Sequence, residues 1–159
     1  MSLATDSIFI TALQSNSELL DKLKEFIDDD DITVIDETPR LYGTAIGLPD
    51  DDADNVPVPY VIVTFDGLTN ELGTKDDRYE SENDTVDIGV EVTAKTLDDL
   101  HALTQMVRDT ILSYLRTTDT AIQDYQFAAQ QIQYDSLKPC YWQVLTYQCD
   151  VVNTNDDEQ

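Results

Sequence analysis

The sequence predicts an α+β domain: an antiparallel sheet of about four strands, two main helices packed on one face, and a long β-hairpin arm. Three observations carry this. In residues 84–93, Val86, Ile88, Val90 and Val92 alternate with Thr85, Asp87, Gly89, Glu91 and Thr93, the period of a strand with one buried face. That strand runs straight into a helix in which Leu97, Leu100, Leu103, Val107, Ile111, Tyr114 and Leu115 recur mostly at three- and four-residue spacing, giving an apolar stripe that the strand's even face can bury. The remaining strand candidates are joined by hairpin-like connections, which favour antiparallel pairing.

The elements follow in chain order. Residues 6–27 read as helix, with Ile8, Ile10, Leu13, Leu19, Leu20, Leu23, Phe26 and Ile27 as the apolar face. The polar stretch 14–17 interrupts it, and Ser17 is placed to cap a second short helix. Asp28, Asp29, Asp30 and Asp31 form a run with no spaced ligand pattern after it, so it reads as a solvated turn rather than a cation site. Residues 32–35 are a short strand candidate, followed by an irregular stretch with aspartates at 50–52 and 54. Read as an EF-hand loop starting at Asp50, it would need Gly at the sixth position and Glu at the twelfth; the chain has Asn55 and Val61. It reads as an exposed loop.

Pro57 and Pro59 stiffen the entry to a β-branched and aromatic strand at 60–65, which Asp66 and Gly67 end. Residues 68–83 are polar and too long for a tight turn between two strands. They read as an arm leaving the domain body, either a contact element or a mobile loop; Lys75, Asp76, Asp77, Arg78 and Tyr79 at its centre are the candidate contact residues. Thr96 is placed to cap the long helix, with Asp99 three residues on. After a loop at 117–124, residues 125–134 form a strand whose apolar parity switches between Phe127 and Ile132, the mark of a bulge. A turn at 135–139 leads into a last strand at 141–152, with Leu145, Tyr147, Cys149 and Val151 on one face. The single domain spans 1–152, and the acidic end 153–159 is expected to be disordered.

Composition narrows the function. With 159 residues the chain can bury a sizeable core, and no segment approaches the apolar length of a membrane span, so a soluble intracellular protein is expected. Cys140 and Cys149, nine positions apart on an extended segment, stand roughly 30 Å from each other, too far for a disulfide. Two buried free thiols are expected. The net charge of −24, from 33 acidic and 9 basic residues, repels phosphate and argues against gripping DNA. Two causes are compatible: adaptation to a salty cytoplasm, where abundant Asp, scarce Lys and many Thr resemble proteins of salt-loving archaea and the Debye length falls to about 3 Å at molar salt; or an acidic passage through which nucleic acid slides without adhering.

No catalytic constellation emerges. His101 is the sole histidine and reads as a surface or boundary residue of the long helix. There is no Cys-x-x-Cys, the two cysteines lack zinc-ligand spacing, and Gly43 and Gly47 are not followed by a phosphate-loop lysine. Trp142 and the tyrosines read as core or sheet-edge residues, with few basic residues interleaved for stacking nucleic acid. An enzyme is not expected, and no cofactor is implied.

The layout resembles a known family. An N-terminal helix, then Pro39-Arg-Leu-Tyr42, then Pro57-Val-Pro-Tyr-Val-Ile-Val63 is similar to the start of the tail-completion or tail-terminator proteins of long-tailed (siphovirus-like) viruses. The strand with Ile88, Val90 and Val92, the helix segment Val107-Arg-Asp-Thr-Ile-Leu112 and the closing Trp142-Gln-Val-Leu-Thr-Tyr147 resemble that family's later elements, in the same order. The acidity and the aspartates around position 52 depart from its pattern. The resemblance implies a non-enzymatic virion protein, assembled in the host cytoplasm. It implies a homo-hexameric ring at the end of the tail tube, which touches the tail tube protein and a head-side connector or stopper protein while genome DNA passes without specific binding. The alternatives are a head-closure or connector protein of the neck, or a cellular salt-adapted binding domain.

Overall fold

The computed structural model describes residues 5–25, 41–43, 59–70, 83–137 and 139–152. In chain order their elements are α1 (Thr5–Gln14), α2 (Ser17–Glu25), β1 (Leu41–Gly43), β2 (Tyr60–Thr69), β3 (Asn83–Ala94), α3 (Leu97–Thr117), β4 (Ile122–Ala129), β5 (Gln133–Asp135) and β6 (Cys140–Val152). The strands form one sheet in the order β1-β2-β3-β6-β4, with β5 beside β6 on the β4 edge. β2 to β6 pair antiparallel, and β1 joins β2 in parallel. The sheet stays open, since β1 and β4 stand at opposite edges. This is the expected α+β class, with more strands than the four expected. The candidates at 28–31, 32–35, 50–54 and 153–159 lie outside the described residues, as do 71–82 and with them Lys75, Asp76, Asp77, Arg78 and Tyr79.

β3 is central, paired along its length with β6 and with β2 on its other side. Register explains the core. Val86 lies opposite Cys149, Ile88 opposite Tyr147 and Val90 opposite Leu145, so the apolar parities of both strands emerge on one face. All six are buried there, joined by Val61 and Val63 of β2. Helices α1 and α3 cover this face, and α2 packs on both of them.

Along α3 the expected stripe holds at Leu100, Leu103, Val107 and Ile111, all essentially inaccessible. Leu97 is 40% exposed, because the helix has only begun there and has not yet come over the sheet. The N-cap is as expected: the Asp99 amide donates to Thr96 Oγ1 at 3.1 Å. In α1 the buried side chains are Thr5, Phe9, Ala12 and Leu13, whereas Ile8 and Ile10 are only half-buried. The helical break falls at Ser15 and Asn16. Asn16, not Ser17, caps α2, its Oδ1 accepting from the Glu18 amide at 3.0 Å. Asn16 gains a second bond, Nδ2 to Thr110 Oγ1 at 2.7 Å, and Thr110 Oγ1 donates to the Met106 carbonyl at 2.7 Å. A buried hydroxyl on α3 is thereby satisfied while the α1–α2 turn is fastened to it.

Three irregularities bend the sheet. β2 carries one extra residue, Asp66, between the pairs Phe65–Ile88 and Gly67–Asp87. β4 carries one, Gln123, between Ile122–Val151 and Asp124–Asp150. The third is the bulge expected from the parity switch: between the pairs Ala129–Leu145 and Gln133–Trp142 the outer strand uses one residue more than β6. Residues 130–132 have no ladder partner there, and the expected strand is divided into β4 and β5. Among the described residues no helix is long and apolar enough to cross a membrane.

Candidate assembly surface

The arm expected at 68–83 is described only at its root. Asp66 and Gly67 do not end β2 as expected: Asp66 is accommodated as a bulge, and Leu68 and Thr69 continue the strand and pair with Val86 and Thr85. A polar clamp sits there. Asn70 Nδ2 donates to Asp84 Oδ1 at 2.6 Å and reaches the Asn83 carbonyl at 3.3 Å. Asp84 is only 4% exposed and has the core-side parity of β3, opposite Val151 of β6. A buried carboxylate demands such a donor. The candidate contact residues Lys75, Asp76, Asp77, Arg78 and Tyr79 fall outside the described residues.

The sheet face opposite the helices is divided along its strands. Towards the start of β2, register groups Tyr60 and Ile62 with Glu91, Thr93, Trp142 and Val144. Burial there raises the Glu91 carboxyl above its ordinary range and the Tyr60 phenol above its own. Towards the other end the same face carries Asp66, Asp87, Asp124 and Asp150 with Gln126 and Gln148. A shallow depression of about 350 Å³ lies among Asp66, Asp87, Gln126, Thr146 and Gln148. Gly89 leaves room for two side chains of β2: a Cβ there would lie 2.7 Å from Asp66 Oδ2 and 2.8 Å from Thr64 Oγ1. Instead Asp66, displaced by the bulge, turns back to accept from Thr64 Oγ1 at 2.9 Å.

A second concavity, about 450 Å³, lies on the helical side between α3 and the edge strand β4. Its walls include Arg108, Leu112, Leu115 and Arg116 from one face of α3, facing Ile122, Tyr125 and Phe127 of β4, with Tyr147 between. The Arg108 guanidinium stacks 4.2 Å from the centre of the Phe127 ring. Tyr147 packs between Phe9, Tyr125 and Phe127 at centroid distances of 5.1, 5.6 and 5.1 Å. It is 2% exposed and its Oη has no hydrogen-bond partner. Burial drives its pKa well above the phenol range, so the hydroxyl stays a proton donor. The sequence does hold a signal for this groove: Arg108, Leu112, Leu115 and Arg116 share one helical face beside the buried stripe. Its β4 wall is not visible without the register.

The groups weighed for chemistry are dispersed. His101 is exposed on α3. Cys140 and Cys149 are buried thiols outside any disulfide, and burial pushes the Cys149 thiol up to about 12, which keeps it protonated and unreactive. Among the described residues no three metal-ligating side chains are grouped.

No family model and no curated protein matches this sequence. A solved structure does match in fold. It is a chain of the virion of a native gene transfer agent (GTA) particle, with a TM-score of 0.56 at 11% sequence identity, covering 93% of this chain and 94% of that one. The fold is one found in a virion particle. Coverage on both sides means that the likeness spans the domain rather than one helix–strand unit.

Proposed function

We propose that this chain is a structural protein of a virion, the tail terminator: a ring of six copies that caps the tail tube and joins it to the head–neck connector. The observation that carries this reading is the fold likeness to a chain of a virion particle over nearly the whole of both chains. The order of the motifs that resemble tail-terminator proteins supports the finer assignment. The arm at 68–83 reaches a neighbouring copy or the tail tube protein, with Lys75 and Arg78 pairing with an acidic surface. The clamped root at Asn70 and Asp84 suits an element that must project in a fixed direction. A cyclic ring needs a heterologous interface that closes on itself. The two different edges of the sheet, β1 and β4, offer two unlike surfaces for one. The head-side partner is a connector or stopper protein. Genome DNA passes through without specific binding, because a chain of net charge −24 repels phosphate. No reaction and no cofactor belong to this role.

The test is the mass of the assembled species. Multi-angle light scattering in molar salt, with and without tail tube protein, should show a discrete closed ring. Monomer alone at high concentration under both conditions refutes the assignment.

A further inference from the structure

The turn that leads into β6 holds a feature that nothing above uses. Among the described residues the large apolar side chains left exposed are Leu97, Tyr134 and Leu137, and two of these three share the β5–β6 hairpin. Leu137 stands at its tip and is 96% exposed. The tip is held in place. The Leu137 amide donates to Asp135 Oδ1 at 3.0 Å, closing an Asx turn, and the Tyr134 ring rests on Tyr141 at 4.9 Å between centroids. A lone exposed leucine is ordinary, but a fixed leucine beside a half-exposed tyrosine is an apolar knob.

We propose that this knob inserts into the groove between α3 and β4 of a second copy of the chain. The proposal deepens the ring reading, on which it rests for a repeating contact between neighbours. Three observations select this occupant. The first is apolar fit: the groove walls Leu112, Leu115, Ile122 and Phe127 are only half-buried, so a leucine seated between them removes apolar surface from water on both sides. The second is position. Tyr134 and Tyr141 have the strand parity of Tyr125, Phe127 and Tyr147, so knob and groove lie on the helical side of one sheet. They stand at opposite ends of β6. Even the nearest groove wall, Phe127, is paired with Tyr147, and β6 from Cys140 to Tyr147 covers roughly 23 Å at about 3.3 Å per residue, so the knob does not reach its own groove. A copy laid head to tail along β6 brings the tip of one to the groove of the next, a heterologous contact of the kind that a ring repeats. The third is charge. Arg108 and Arg116 on the groove are two of only nine basic residues against 33 acidic ones, so a neighbour as acidic as this chain is attracted here, and Asp135 arrives at that rim beside Leu137.

The experiment mixes full-length Ser136→Cys and Gln123→Cys copies in molar salt, where repulsion between chains of net charge −24 is screened, and joins them with a short bis-maleimide. Ser136 flanks the knob and Gln123 lines the groove, both exposed, whereas Cys140 and Cys149 are buried. A cross-link from position 136 of one copy to position 123 of another, mapped by mass spectrometry, supports the proposal. Adding Leu137→Asp to the first copy should lower its yield roughly tenfold, and Leu137→Met should hold it within about twofold. Both substitutions change a side chain that touches little of its own fold, so the circular dichroism spectrum should stay unchanged. The proposal is overturned if no such link forms, or if its yield survives Leu137→Asp. Light scattering on the native chain separates this contact from the ring itself. A closed ring without the link refutes the knob and keeps the ring; the link without a closed ring refutes the ring and keeps the contact.

Discussion

Replacing Asn70 by Ala tests how firmly the end of the β2–β3 ladder is clamped. Asn70 Nδ2 lies 2.6 Å from Asp84 Oδ1, and Asp84 is 4% exposed. Losing that donor strands a carboxylate in a place water barely reaches. A hydrogen bond to a charged group contributes roughly 1.5–3 kcal/mol, and about 2 kcal/mol is the expected loss here. In a chain of this size that corresponds to a melting temperature lower by about 4–8 °C. Asp84→Ala removes the stranded charge as well, so the double variant should lose less than the two single losses combined. Urea unfolding followed by circular dichroism at fixed salt measures all three, and hydrogen exchange at the Thr69 and Thr85 amides reports whether the hairpin frays at the clamp. A single-variant loss below about 0.5 kcal/mol, the range of an unremarkable surface substitution, would refute the argument. Strict additivity in the double variant would refute it too.

Three further outcomes are expected. Gly89→Ala places a methyl 2.7 Å from Asp66 Oδ2 and 2.8 Å from Thr64 Oγ1, both ends of side chains that can turn away on this face, so it should break the Thr64–Asp66 hydrogen bond at a cost of no more than about 1 kcal/mol; a loss well above that in urea unfolding would show that these side chains cannot move. Glu91 has a folded pKa raised by burial above its ordinary 4.5, so the folded chain holds that proton more tightly than the unfolded one. Its contribution is fully present below pH 4.5 and is lost as pH rises through the folded value. Unfolding free energies across that window should therefore fall more steeply in the native chain than in Glu91→Gln, and parallel curves would contradict the burial of this group. Finally, Cys140 and Cys149 should resist iodoacetamide at pH 8 in the folded chain and both react after denaturation; rapid labelling of the folded chain would mean that the β6 core opens readily.

Much of the core was legible from periodicity. The valine and isoleucine alternation of β3 and the Leu100-to-Ile111 stripe of α3 are local patterns, and both faces are buried as the patterns imply. The parity switch after Phe127 also announced the bulge that separates β4 from β5. In α1 the pattern misled. Ile8, Phe9 and Ile10 are consecutive and equally apolar, so spacing could not say that Phe9 is the one set against Tyr147 at 5.1 Å. Ser17 and Asn16 are both good helix caps; Asn16 wins because Thr110 of α3 is within reach of its amide.

Alone, the order of residues determined the class of fold, the central strand–helix pair, the acidic surface and the absence of spaced catalytic motifs, because each is written in neighbours a few positions apart. The Asn70–Asp84 clamp, the Gly89–Asp66 accommodation and the arginine-lined groove around Tyr147 were decided only by tertiary structure. Each joins groups on different elements, and strand register chooses which groups meet: a slip of one residue would turn every side chain of a strand to the other face.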